Sequence, residues 1–384
     1  MRSRSFPFLY VSSFVVAVLL APSCAREVAW PAAGKDDLDD VVYVARSAGE
    51  GAAVVAVSAA GGVKELGLRC DGQSDVALSP DGGRLYYGLD NGLHEYELAT
   101  GADRVVASFP GGLAREMGAD KEGRPTAYAW RCGARFRDLA FGSRGALAFV
   151  VEPTACPLPA EEEKPAGGGL ELKPRRDFAV DAGAYFLEAG GRAPRYLGPT
   201  RAVYGFWGDD ALLLENKLTV ARYELEGGTV EPLLAADAHE LGWLPWAAAA
   251  GDKVVVVGAK GAEKKQESIR NRVFVVEGGR GRDEPLVEME CKEPATRAAL
   301  AADGRYLAVQ CTPQVFGEPT IFAVDLERRR YKVLVNSGTL LGFARGSRAI
   351  FYVVGPGRTG DLSLAGLDGA ARRLTAEGDI LPMP

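Results

Sequence analysis

DVALSPDGGRLYYGLDNGLHEYELATGADRVVAS, residues 75–108, is the stretch that decides the fold. Four short apolar runs, DVALS, RLYYGL, LHEYELA and RVVAS, are separated by PDGG, DNG and TGAD. LHEYEL alternates apolar and polar residues with the period of a half-buried strand. Asn91-Gly92 is the strongest short-range hairpin signal in the chain. Four antiparallel strands in one unit predict a blade of a β-propeller.

Working outward, the unit recurs. RDLAFGSRGALAFVV (137–151) opens another blade, and FAVDAGAYFLEAGGRAPRYLG closes it. Residues 203–235 form the next, and further units start near 243, 297 and 340. The first, 41–68, has only three strands. Residues 379–383 stand where its innermost strand would be, so the C-terminus is expected to complete blade one and remove the open sheet edges. The expectation is an all-β chain with a single propeller over 41–384, of seven four-stranded blades at about 49 residues per blade. Six or eight blades stay open, because blades three and five carry long insertions.

Ser79-Pro80-Asp81-Gly82 followed by Arg84-Leu85-Tyr86-Tyr87 resembles the SPDG-type repeat of the Tol-system and WD-like bacterial propellers. Ala302-Asp303-Gly304-Arg305-Tyr306-Leu307 is a second copy. The resemblance covers nearly the whole chain after residue 40 as architecture and only these two motifs in letters. It implies a structural role: Asp and Gly shape the turn between inner strands. The sequence holds no counterpart of the separate N-terminal domain of the Tol-system propeller, so the resemblance implies none of its partners.

Residues 1–23 have the layout of a secretory signal. Arg2 and Arg4 precede an apolar run from Phe6 to Leu20, and small residues follow. That run falls short of the ~20 residues of a membrane span. Ala21-Pro22-Ser23-Cys24 resembles the lipobox of bacterial lipoproteins, although the Leu usual three residues before the Cys is Ala21 here. The resemblance implies cleavage before Cys24, acylation of that residue, and anchoring by the acyl chains. Ala25 rather than Asp follows it, which in that family implies sorting to the outer membrane, facing the periplasm or the cell surface. Residues 24–40 read as the lipidated Cys and a polar tether.

Composition bounds the partners. Hydrophobic residues make up 47% and charged residues 25%, which excludes a disordered chain and a polytopic membrane protein. The formal net charge is −6, and the signal carries two Arg and no acid, so the remainder is more acidic still. Nucleic acid is therefore not an expected partner, and no basic patch accounts for membrane attachment.

An exported location permits disulfides. On the repeat, Cys70, Cys132 and Cys291 lie in links before inner strands, whereas Cys156 and Cys311 follow second strands. Both positions fall on one face. Cys132–Cys156 and Cys291–Cys311 are the expected pairs, each contributing on the order of 3 kcal/mol, and Cys70 is left as a buried thiol.

The same face receives the long connections 109–136, 152–177, 259–272, 312–319 and 355–361, while the opposite face has short turns. Long loops on a rigid scaffold carry recognition. Trp130, Arg131 and Arg135, then Trp243 and Trp246, then Arg270 are the candidate binding residues, because Trp and Arg are common anchors. The expected partner is a protein, peptide or glycan.

Catalytic signatures are missing: no G-x-S-x-G, P-loop, HExxH or Asp-rich Ca²⁺ loop occurs. Two histidines, His94 and His239, exclude a poly-histidine metal centre, and no cofactor is called for. Expectation therefore favours a membrane-anchored envelope module that binds or scaffolds through its loop-rich face. The alternative is a lactonase-like hydrolase or lyase, with or without a metal, using channel acids such as Asp138 and Asp210.

Overall fold

Apolar runs of five to nine residues, broken by Gly, Asp and Asn, are too short for stable helices and fold as strands. The computed structural model describes residues 29–48, 51–109, 114–119, 125–155, 182–191, 193–216, 219–236, 239–260, 268–277, 280–281, 284–313, 317–355, 359–376 and 378–381. Side chains of 114–132, 153–155, 243–245 and 280–281 lie outside that description.

A short helix α1 (Lys35–Leu38) precedes blade one, formed by β1 (Val41–Ala48), β2 (Gly51–Ser58) and β3 (Val63–Cys70). Blade two holds β4 (Ala77–Leu78), β5 (Arg84–Leu89), β6 (Gly92–Glu97) and β7 (Asp103–Ser108). Blade three holds β8 (Ala114–Ala119), β9 (Pro125–Phe141), β10 (Leu147–Ala155), β11 (Gly183–Leu187) and β12 (Arg195–Gly198). Blade four is β13 (Val203–Trp207), β14 (Ala211–Glu215), β15 (Thr219–Glu224) and β16 (Val230–Ala235). Blade five is β17 (Leu241–Ala250), β18 (Lys253–Lys260) and β19 (Ile269–Glu277), with β20 (Arg280–Gly281) and β21 (Val287–Cys291) both pairing with β19. Blade six is β22 (Arg297–Leu300), β23 (Tyr306–Cys311), β24 (Thr320–Asp325) and β25 (Arg330–Val335). Blade seven is β26 (Thr339–Phe343), β27 (Ala349–Val354), β28 (Asp361–Gly366) and β29 (Ala371–Arg373). The described residues thus form a seven-bladed β-propeller, mostly of four-stranded blades.

Two details differ from the sequence reading. The segment 109–136, expected as a link, contains β8 and the first part of β9, which pair as a hairpin and give blade three a fifth strand. At the C-terminus Ile380 bridges Arg46 of β1 and Gly360, the Ser47 N–H donates to the Asp379 carbonyl at 2.8 Å and the Leu381 N–H to the Ala45 carbonyl at 2.9 Å. The described residues end at 381, so the closing strand expected over 379–383 is not shown among them. Residues 34–40 are docked on blade seven rather than free. The buried Asp37 accepts the N–H groups of Gly34 and Arg348, and Asp40 accepts that of Arg345.

The core lies between blades. Val255, Val257, Val273 and Val275 of blade five pack against Val309, Phe322 and Val324 of blade six, all nearly inaccessible. Polar side chains tie the same seams. Asn91 Oδ1 accepts the N–H of Ala134 at 3.0 Å. Asn271 Oδ1 accepts that of Ala295, and Gln310 Oε1 that of Leu340, both at 2.7 Å. Each tie satisfies a backbone donor where one blade leads into the next, and a buried donor left unpaired would cost about 1–3 kcal/mol.

Cys291 and Cys311 form a disulfide with Cα atoms 6.3 Å apart. Cys156 lies outside the described residues, as does the side chain of Cys132. Cys70 is a buried free thiol, and burial raises its pKa to about 11.

Candidate functional site

The inner strands β9, β13, β17, β22 and β26 lie side by side in order about the propeller axis. A pairing irregularity recurs on this innermost position: between Arg137 and Ala140 of β9, at Tyr204 of β13, between Trp243 and Trp246 of β17, and at Leu341 of β26. In each, the inner strand carries one residue more than its partner. Such a bulge re-aims side chains that strict alternation would send the other way. At β9 it takes Asp138 to a φ of +54°, a left-handed conformation that Asp tolerates better than most residues.

Around the axis these strands enclose a cavity of about 440 Å³. Asp75 reaches it from the link before β4, Arg137 and Asp138 from β9, and Tyr204 from β13. Trp246 of β17, Arg297 of β22 and the Leu340-Leu341 pair of β26 complete the wall. Tyr204, Arg297 and the Leu340-Leu341 pair lie at the upstream ends of their strands, while Arg137 and Asp138 come late in the long β9. By the strand count, the upstream ends mark the face on which the links and second-strand loops emerge.

The polar groups form one connected set. The Asp138 N–H donates to Asp75 Oδ2 at 2.6 Å, and Asp138 Oδ2 accepts the Val203 N–H at 3.2 Å. Arg137 Nη1 donates to Glu152 Oε1 at 2.7 Å. Arg135 also holds Glu152, through Nε at 2.7 Å. Arg297 Nη1 donates to the Leu340 carbonyl at 3.2 Å. The Nε of Arg137 is buried and meets no acceptor among the described residues.

Burial governs the protonation of this set. It pushes the Asp75 carboxyl up to about 6, against the Asp138 N–H, Arg137 and Arg297. It pushes Asp138 up to about 7, with Arg137 opposing and the Asp75 charge adding. The Tyr204 phenol is raised by burial, then by Glu215 and Asp138. Burial lowers Arg297, and Asp75 opposes that shift. Near neutral pH the pair of carboxyls therefore holds a proton that can be donated as a hydrogen bond. No group of three or more His, Cys, Asp or Glu positioned to hold a metal occurs among the described residues.

The sequence matches no family model and no curated protein. Solved structures share its fold. An oligogalacturonate lyase in complex with manganese matches with a TM-score of 0.55 at 13% identity, over 86% of each chain. TolB from Acinetobacter baumannii matches with a TM-score of 0.45 at 13% identity, over 89% of this chain and 65% of that one. The β-propeller domain of the Trilobed protease from Pyrococcus furiosus matches with a TM-score of 0.45 at 11% identity, over 88% and 95%. At these identities the likeness is of fold alone.

Of the residues singled out from sequence, the structure brings Trp246 and Asp138 to the cavity. Arg135 sits beside it through Glu152. Arg270 stands apart on β19, exposed, with Nη1 3.9 Å from Glu288. Trp130 and Arg131 fall on β9, and Trp243 on β17, with side chains outside the description. Asp210 is corrected: it is exposed in the short turn between β13 and β14, on the face opposite the cavity. His94 stacks on Tyr87 and meets Asp103 at 3.2 Å. His239 packs against Phe274 away from the cavity wall. Asp75, Arg137, Tyr204 and Arg297 were missed. Tyr204 and Arg297 share a signal, a polar residue in the first positions of an inner strand, whereas Asp75 in a link and Arg137 late in β9 carry none.

Proposed function

We propose that this propeller is a binding module of the bacterial envelope, anchored by acyl chains on Cys24, whose loop-rich face and channel mouth engage a protein, peptide or glycan. The observation that carries the reading is the cavity itself. Six blades contribute to one wall, which combines Trp246, two guanidinium groups and two acids at the face where the long connections emerge. Concave sites with a few convergent polar groups and aromatic surface are the usual places of ligand capture. The signal layout of residues 1–23 and Cys24 supports the anchor.

The test uses the full chain in its own cells. A photo-crosslinking residue at Arg135 should capture a partner, while one at Asp209 on the short-turn face should not. Cys24→Ala should remove metabolic labelling by a fatty acid. Capture from both faces alike, or from neither, overturns the face assignment, and unchanged labelling overturns the anchor.

A second reading is favoured by the Asp75–Asp138 pair: two adjoining carboxyls with raised pKa values are suited to acid–base chemistry on a lactone or glycosidic bond. It requires turnover with a pH–rate profile that Asp138→Asn abolishes. A panel of lactones and glycosides hydrolysed no faster than in buffer rules it out.

A further inference from the structure

Three guanidiniums and three carboxyls meet at the cavity, and burial raises the pKa of two of those carboxyls. Arg135, Arg137 and Glu152 form one cluster with a surplus positive charge. Arg297 adds another guanidinium to the wall, where the Arg137 charge works with burial to lower its pKa. Asp75 opposes that shift, both guanidiniums hold the Asp75 carboxyl down against its burial, and Asp138 follows on the same strand as Arg137. Donors are also in excess. The Nε of Arg137 meets no acceptor, and Arg297 makes a single hydrogen bond among the described residues, to a carbonyl. Two guanidiniums line one cavity, and Arg297 spends a single hydrogen bond on a carbonyl, which suits the wall to an acceptor with negative charge.

We propose that the channel cavity binds a small organic carboxylate, held between Arg137 and Arg297 with its apolar part against Trp246 and Leu341. This deepens the binding reading by naming a ligand class for the channel mouth. A carboxylate matches the planar fork of a guanidinium, whereas a neutral ligand offers it no charge to pair with. Asp138, protonated, donates a hydrogen bond to the bound anion rather than repelling it.

The pH dependence has a definite sign. The charged and titratable groups facing the site are Asp75 from the blade-two link, Arg137 and Asp138 from β9, Glu152 from β10, Tyr204 from β13 with Glu215 of β14 behind it, and Arg297 from β22. Blades five and seven contribute Trp246, Leu340 and Leu341, which do not titrate. An anion beside Asp75 and Asp138 raises their pKa values further, so binding takes up a proton. Affinity is then highest below about pH 6 and falls by up to about tenfold per unit above about pH 7.

The experiment is calorimetric titration of the purified protein with acetate, benzoate, citrate, benzamide and inorganic phosphate, at about pH 5.5 and about pH 8. At least one carboxylate should bind 1:1, tighter at the lower pH, and benzamide should bind at least about tenfold more weakly than benzoate. Arg297→Ala and Arg297→Lys, each checked for a native melt, should weaken binding by about tenfold or more. Asp138→Asn, which mimics the protonated acid, should retain affinity at the higher pH. The proposal is overturned if no carboxylate saturates the protein at about 50 mM, if phosphate alone binds, if benzamide equals benzoate, or if Arg297 is dispensable. A pH dependence unchanged in Asp138→Asn overturns the proton coupling. Partner capture at Arg135 with no carboxylate binding would sink this inference and leave the binding reading intact.

Discussion

The backbone N–H of Asp138 donates to Oδ2 of Asp75 at 2.6 Å, so a bulged, left-handed residue of blade three is held by the acid that leads into blade two. One carboxyl thus fixes the other's backbone, and both titrate in the same cavity. Stability and protonation are linked at this point.

That link sets a pH dependence. Both acids are raised from their ordinary value, to about 6 and about 7, so the folded state binds more protons than the unfolded one between about pH 4 and about pH 7. The stability that these two acids contribute is greatest below the ordinary carboxylate range. It declines as pH rises through the folded values, by at most about 2–4 kcal/mol for each acid. Urea midpoints across this range should fall, and the fall should be smaller in Asp75→Asn and Asp138→Asn, which keep an acceptor without a charge. A rise in the wild type contradicts the linkage.

Gln310 is buried and serves two seams of contact, donating to Thr296 Oγ1 at 3.0 Å and accepting the Leu340 N–H at 2.7 Å. Gln310→Ala should cost about 1–3 kcal/mol in chemical denaturation, because it orphans the Leu340 donor. Gln310→Glu, which keeps an acceptor oxygen, should cost less from that donor but place a charge in a buried site. Equal stability of wild type and alanine variant would show that this donor finds another acceptor.

The Cys291–Cys311 bridge closes a loop with a sequence separation of 20 within the buried core between blades five and six. Replacing both by Ala should lower stability by about 3 kcal/mol, and reduction of the wild type should produce a similar shift in the denaturation midpoint. Non-reducing peptide mapping should recover the linked peptides. Finding Cys291 joined to another cysteine would refute the pairing.

Cys70 should be inert while the chain is folded. It is buried, and burial lifts its pKa to about 11, so little thiolate forms at neutral pH. A thiol reagent should modify it only after denaturant is added. Stoichiometric labelling of Cys70 under native conditions would contradict its burial.

The repeat was legible because turn chemistry is local. In SPDG, the Asp81 carboxylate accepts from the Ser79 hydroxyl and the Gly83 N–H, and Gly82 takes a φ of +71°. The second copy repeats this with Asp303 accepting the Arg305 N–H and Gly304 at +68°. The hairpin at 89–92 was located correctly but shifted by one residue. Asp90 and Asn91 are its two left-handed positions, with Leu89 paired to Gly92. Asn91 is held there by a bond to Ala134, a residue from the next blade that local sequence does not announce.

The cavity was legible only in part for the same reason. Trp246 and Asp138 stood out by residue type, but Arg297 and Tyr204 gain meaning only when five strands and the link before β4 meet at one axis. Bulges broke the alternation that would have assigned their faces. Asp210 resembled Asp138 as an acid near an inner strand, yet the strand's direction carries it to the opposite face.

The seam ties have a last consequence. Because Asn91, Asp75, Asp138, Asn271 and Gln310 each fasten the start of a following blade, strain on one blade is passed along the hoop instead of opening a single gap. The bore is set by these fastenings before any guest arrives. A ligand for the cavity would then be selected by size through the frame, and by charge through the residues in the wall.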